Sequence, residues 1–114
     1  MNLANAARGR FGEDLAARWY REHGYEVVDR NWRTSRGELD IVARKGALVV
    51  VCEVKTRASL AYGHPFEAIT PAKLTRLRRL AMLWMQQHDL YGFAVRLDVI
   101  GIVGTRLEML EGVA

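Results

Sequence analysis

Cysteine occurs once in the 114 residues, at Cys52, so no internal disulfide can form, in keeping with a reducing compartment. No segment approaches the roughly 18 uninterrupted apolar residues of a membrane helix. The longest apolar run, Ala47 to Cys52, suits a buried strand instead. The segment Met1 to Arg10 is alanine-rich but has no apolar signal-peptide core, which predicts a cytoplasmic location and no membrane partner. A glycine-rich phosphate loop, a zinc-type Cys/His spacing and a serine-triad signature are all missing, and with them the commonest ATPase, zinc-finger and serine-hydrolase readings. Internal repeats, low-complexity tracts and linkers are missing too, so one compact domain over residues 1–114 is expected.

Half of the residues are hydrophobic and 26% are charged, the balance of an ordinary globular protein. Net charge is +4, and arginine outnumbers lysine. The planar guanidinium suits phosphate oxygens, so the balance points towards an anionic partner such as nucleic acid.

Hydrophobic spacing sets the element order. From about Ala4 to His23, Phe11, Leu15 and Trp19 recur at helical spacing, and Gly24 stands where a C-terminal cap belongs. Tyr25 to Trp32 reads as a strand, followed by a polar loop from Arg33 to Arg36. Glu38 to Ala43 and Ala47 to Lys55 read as a hairpin turning at Lys45-Gly46. Arg57 to Ala68 reads as a long mobile loop. Thr70 and Pro71 mark a helix start, and the helix runs to about His88 with Leu74, Leu77, Ala81 and Trp84 as its buried stripe. Phe93 to Val103 and Arg106 to Leu110 complete the pattern as strands. The order α-β-β-β-α-β-β predicts an α/β sandwich, a mixed sheet flanked by helices.

Asp40 and the run Glu53-Val54-Lys55 carry the chemistry. Side chains two apart on a strand share a face, so Glu53 and Lys55 point the same way. A turn at Lys45-Gly46 sets Asp40 across from Val51 and Glu38 across from Glu53, which makes Asp40 a diagonal neighbour of Glu53. Two close carboxylates cannot both ionise comfortably without a cation between them. Mg²⁺ or Mn²⁺, which prefers oxygen ligands, supplies that charge, acidifies a bound water and stabilises charge on a phosphoryl oxygen. Lys55 is placed to orient or deprotonate the water.

The runs Arg30-Asn31-Trp32-Arg33, Gly37-Glu38-Leu39-Asp40-Ile41-Val42 and Val51-Cys52-Glu53-Val54-Lys55-Thr56-Arg57 resemble the YraN family of bacterial proteins, as do Gly12-Glu13 and Arg96-Leu97-Asp98-Val99-Ile100. That family is similar in turn to the restriction-endonuclease-like PD-(D/E)xK superfamily, which includes archaeal Holliday-junction resolvases. The resemblance implies a restriction-endonuclease-like fold and a metal-dependent nuclease. It implies that Asp40, Glu53 and the Val54 carbonyl are metal ligands, that Lys55 is the catalytic lysine, and that Glu13 joins the site from the first helix. Leu39 stands where the superfamily motif is often written with proline. The implied substrate is DNA, branched or junction-like, and junction resolution would require two sites and hence a homodimer.

Glu13 shares a helical stripe with Ala6, Ala16, Ala17 and Tyr20, whose mostly small side chains allow close approach to the sheet. Arg33, Arg36 and Arg57 bracket the site as candidates for gripping a phosphate backbone, and Lys73, Arg76 and Arg79 form a ridge on the second helix. The bland reading of that ridge is a solvated face. Arg96 and Asp98 share a strand face and read as a simple pair. The rival functional reading is a non-catalytic nucleic-acid-binding module that keeps the fold.

Overall fold

The computed structural model describes residues 3–113; Met1, at the head of the alanine-rich segment, Asn2 and Ala114 lie outside them. The chain runs α1 (Leu3–Glu22), β1 (Glu26–Thr34), β2 (Gly37–Lys45), β3 (Leu48–Arg57), a 3-10 turn (Pro65–Ala68), α2 (Pro71–Gln87), β4 (Ala94–Val103) and β5 (Arg106–Leu110). The five strands form one sheet in sequence order. All neighbours are antiparallel except β3 and β4, whose parallel pairing requires the crossover that α2 provides. This is the expected α/β architecture, with one helix on each face. No helix among the described residues is long and apolar enough to cross a membrane.

Each face has its own core. On one, Gly12, Ala16, Ala17 and Tyr20 of α1 pack against Ile41, Ala43, Val50, Cys52, Ile100 and Ile102. Small residues on the helix bring it close to the sheet, while Phe11 at the head of the expected stripe is 43% exposed. On the other face, Leu77, Leu80, Ala81, Trp84 and Met85 of α2 cover Leu39, Val42, Val49, Val51 and Leu97. Trp84 satisfies its indole N–H on Asp29 at 2.8 Å, which lets so large a ring be buried. The caps follow the sequence: Gly24 takes φ +86° after α1, and the Thr70 hydroxyl accepts from the Lys73 amide at 3.2 Å.

Three expectations are corrected. Arg33 to Arg36 is not an open loop: β1 continues through Arg33 and Thr34, and Thr34 pairs with Gly37 around a two-residue turn. The Thr34 hydroxyl accepts from the Arg36 amide at 3.0 Å and donates to the Gly37 carbonyl at 3.1 Å, which fixes that turn. The β2–β3 hairpin turns at Gly46-Ala47, because Lys45 pairs with Leu48. Gly46 has φ +58°, the left-handed conformation that a tight hairpin turn demands and glycine supplies cheaply. The segment between Arg57 and Ala68 is anchored, not free. Pro65 and Phe66 pack over Gly101, where a Cβ would collide with the Phe66 ring, and His64 bridges to Glu108 at 2.8 Å.

Candidate active site

The position of the hairpin turn sets the site. With Lys45 opposite Leu48, the β2–β3 ladder runs to Ile41 opposite Cys52 and ends there. Continued by one residue, this register would set Asp40 opposite Glu53, where a turn at Lys45-Gly46 would have made them diagonal, and the two carboxyls lie within hydrogen-bond reach. Beyond that point the Asp40 carboxylate takes over the role of a strand carbonyl, and its Oδ2 accepts the Val54 amide at 2.9 Å. In a strand, the N–H and C=O of one residue point towards the same neighbour. The Val54 carbonyl therefore faces the same gap.

An irregularity in β2, with no change of register against β1 there, accompanies this placement of Asp40. Residues two apart on a regular strand share a face, yet Leu39 packs on the α2 side and Ile41 on the α1 side. The partner strand shares it: Arg30, opposite Ile41, reaches α1, while Trp32, opposite Leu39, packs towards α2. Between them Asn31 takes φ +52°, a left-handed conformation that asparagine tolerates better than most residues.

Asp40 is 7% exposed. Burial, reinforced by a hydrogen bond to and repulsion from Glu53, pushes its carboxyl up to about 8 against the pull of the Val54 amide. Among the described residues no group of three or more His, Cys, Asp or Glu is gathered tightly enough to hold a metal. The local donor set is two carboxylates and a carbonyl. It is too sparse for the closed protein cages that zinc takes, and it suits Mg²⁺, which keeps several waters.

Glu13 approaches from α1. Its carboxyl is raised by burial and by the Asp40 charge, and restrained by a hydrogen bond from Asn31 and by Arg30 at 3.8 Å. Arg30 also pairs with Asp14 at 2.7 Å. Arg30 and Asn31 were missed as site residues, although both lie in the sequence run that carries the family resemblance; only the fold brings them to Glu13. Glu13 borders two clefts, one on each side of α1. Val54, Lys55, Arg57 and Arg8 line the first, and Arg10, Arg30 and Arg33 line the second with Asp14 and Glu38.

The backbone-gripping candidates separate. Arg33 is tied to Glu38 at 2.9 Å, so the structure spends part of its charge within the hairpin. Arg36, Arg57, Lys73 and Arg76 make no ion pair among the described residues. Arg76 packs beside Gly37, next to Arg36, and Lys73 sits in the first turn of α2.

The second buried carboxylate, Asp98, has a different environment. It is fully buried and accepts Tyr20 at 2.7 Å, Arg96 through two nitrogens at 2.9 Å, and the Gly112 amide at 3.0 Å. The pairing with Arg96 was legible from the strand face; Tyr20 was not. Burial holds the neighbouring Cys52 thiol well above its ordinary range, so it is a neutral, inert group.

The chain matches the model of the uncharacterised protein family UPF0102 over residues 12–102, a span that contains Glu13, Asp40, Glu53 and Lys55. It is similar to a UPF0102 protein of Beutenbergia cavernae, 52% identical over 96% of this chain and 98% of the relative. A UPF0102 protein of Arthrobacter sp. strain FB24 is also 52% identical, over 92% and 93%. One of Acidothermus cellulolyticus is 44% identical over 96% and 94%.

Proposed function

The chain belongs to the UPF0102 family, in keeping with the YraN resemblance of its motifs, and from the geometry of its acidic site we propose that it is a Mg²⁺-dependent nuclease that hydrolyses phosphodiester bonds in DNA. One observation carries the reading: the buried Asp40 faces Glu53 at the end of a ladder, with Lys55 on the same strand. A carboxylate pair in a shared gap is costly to bury, and a binding module has no use for it beside a phosphate. The resemblance of these residues to the PD-(D/E)xK motif supports the same reading.

Asp40, Glu53 and the Val54 carbonyl are the groups that would hold the ion. When bound, Mg²⁺ (or Mn²⁺) lowers the pKa of a water and offsets charge developing on the phosphoryl oxygens. Lys55, exposed at the end of β3, orients the attacking water or takes its proton. Glu13, its carboxyl raised by burial and by Asp40 and its position held by Arg30 and Asn31, assists from the rim. Arg36, Arg57, Lys73 and Arg76, and more weakly Arg33, supply phosphate contacts that position the strand. Resolution of a four-way junction would take two such sites in a homodimer.

The test pairs Mg²⁺ and Mn²⁺ calorimetry with cleavage of a panel of linear, flapped and branched DNAs, wild type against Glu53→Ala. Loss of both in the variant supports the site and its chemistry together. Should the wild type bind no metal even with DNA present, the nuclease reading fails and a non-catalytic nucleic-acid-binding module replaces it.

A further inference from the structure

We infer that the first cleft, between the N-terminal half of α1 and the end of β3, seats an unpaired DNA strand, so that the substrate class of the proposed site is single-stranded or frayed DNA. For the fate of that strand the inference rests on the nuclease reading; for its binding it rests on the cleft alone. The cleft has a volume of about 570 Å³. Its lining carries three cations, Arg8, Lys55 and Arg57, against the single carboxylate Glu13.

No carboxylate neutralises those cations: neither Lys55 nor Arg57 pairs with one among the described residues, and Arg57 donates to the Tyr62 carbonyl, at 3.4 Å. Arg8 donates to the neutral Asn5 side chain, at 3.0 Å, and pairs with no carboxylate among the described residues. In the second cleft Arg10, Arg30 and Arg33 are matched by Glu13, Asp14 and Glu38, which leaves it no net attraction for a polyanion. Charge therefore selects the first cleft.

Tyr62 decides what kind of strand fits. It stands at the cleft's edge, 89% exposed, and its ring stacks on no other ring among the described residues. Bases within a duplex already stack on each other, so a free aromatic ring gains a partner only when a base is unpaired. Gly9 of α1 also lines the cleft, and a Cβ there would meet nothing, so the helix backbone leaves room for a ligand. An aromatic platform beside a short cationic track is the arrangement that binds single strands through stacking and backbone charge.

The experiment measures fluorescence anisotropy of a labelled oligothymidylate and of a duplex of equal length, both in EDTA so that no cleavage intervenes. The single strand is expected to bind at least about tenfold more tightly than the duplex, and Tyr62→Ala to weaken it roughly 5- to 150-fold, the loss of one stacked base. Tyr62→Trp should restore the affinity, and neither change should alter duplex binding or the unfolding midpoint, because the side chain is exposed. Equal affinity for strand and duplex, or Tyr62→Ala binding like wild type, overturns the inference. A wild type that prefers the single strand, is sensitive to Tyr62→Ala, and yet takes up no Mg²⁺ and cuts nothing leaves this inference standing and removes the nuclease reading. Cleavage without strand preference does the reverse.

Discussion

Gly12 of α1 lies directly against Thr56 of β3: a Cβ on residue 12 would overlap the Thr56 hydroxyl and crowd its Cβ. The contact sets how far α1 stands from the sheet, and so how far Glu13, the next residue, stands from Asp40. Gly12→Ala should therefore lose about 1–3 kcal/mol of stability to overpacking, although alanine is the better helix former by about 0.8–1.0 kcal/mol. Thr56→Ala in the same chain removes the obstructing hydroxyl and should recover most of the loss. Urea unfolding of the two single variants and the double variant measures the coupling; additive effects would show that the helix is free to shift.

Stability without metal should fall as pH rises. The folded protein holds a proton on Asp40 up to about 8, whereas an unfolded chain releases it near 4. The raised value means that the contribution is complete below about pH 4 and is lost progressively as pH rises through about 8. Asp40→Asn stays neutral throughout, so its melting temperature should vary less over this window. Scanning fluorimetry from pH 5 to 9 in EDTA tests this; parallel slopes for the two proteins would refute it. Under the proposed function, Mg²⁺ should bind more tightly as pH rises, because it competes with that proton.

Lys55→Ala should separate binding from chemistry. The ammonium is exposed and belongs to no ion pair among the described residues, so its loss leaves the fold and the Asp40–Glu53 pair in place. Cleavage should drop by roughly 10²–10⁴-fold, the share usually carried by a positioned acid–base group. Calorimetric Mg²⁺ affinity should hold. A variant that cuts as fast as wild type would take Lys55 out of the mechanism.

The two buried aspartates should respond oppositely. Asp98→Ala leaves the buried Tyr20 hydroxyl and the Gly112 amide without their acceptor and leaves Arg96 to Glu111 and Tyr25, at a cost of about 1–3 kcal/mol. Asp40→Asn keeps shape and neutrality at neutral pH and should leave stability there little changed while abolishing activity. Denaturation curves beside activity measurements test, under the proposed function, whether Asp40 serves the chemistry while Asp98 serves the fold.

Much of this was legible in the sequence because its signals are local. Helical spacing, the Gly24 and Thr70 caps and the apolar run of β3 each depend on near neighbours, and both helices and all five strands appear in the expected order, with corrections at the β1 end and the β2–β3 turn. Asp40, Glu53 and Lys55 were legible as a group, since strand periodicity and the cost of close carboxylates need no more than adjacent strands. Their mutual position was not. Placing the hairpin turn one residue early shifts the register by two, which turns a direct pair into a diagonal one.

The sequence alone determined which residues carry charge, and which helices and strands present them. Only the tertiary structure decided how they meet. Beside the left-handed Asn31 the Asp40 carboxylate meets the Val54 amide, Arg30 crosses from β1 to hold Glu13, and Tyr20 finds Asp98 from 78 residues away. Arg33, read as a free phosphate contact, is instead partly neutralised by Glu38 across the hairpin. The reason is physical. Element type follows from near-neighbour patterns that the chain carries everywhere, whereas partnership depends on register, helix stand-off and strand twist, which are settled only when both faces of the sheet close on their cores.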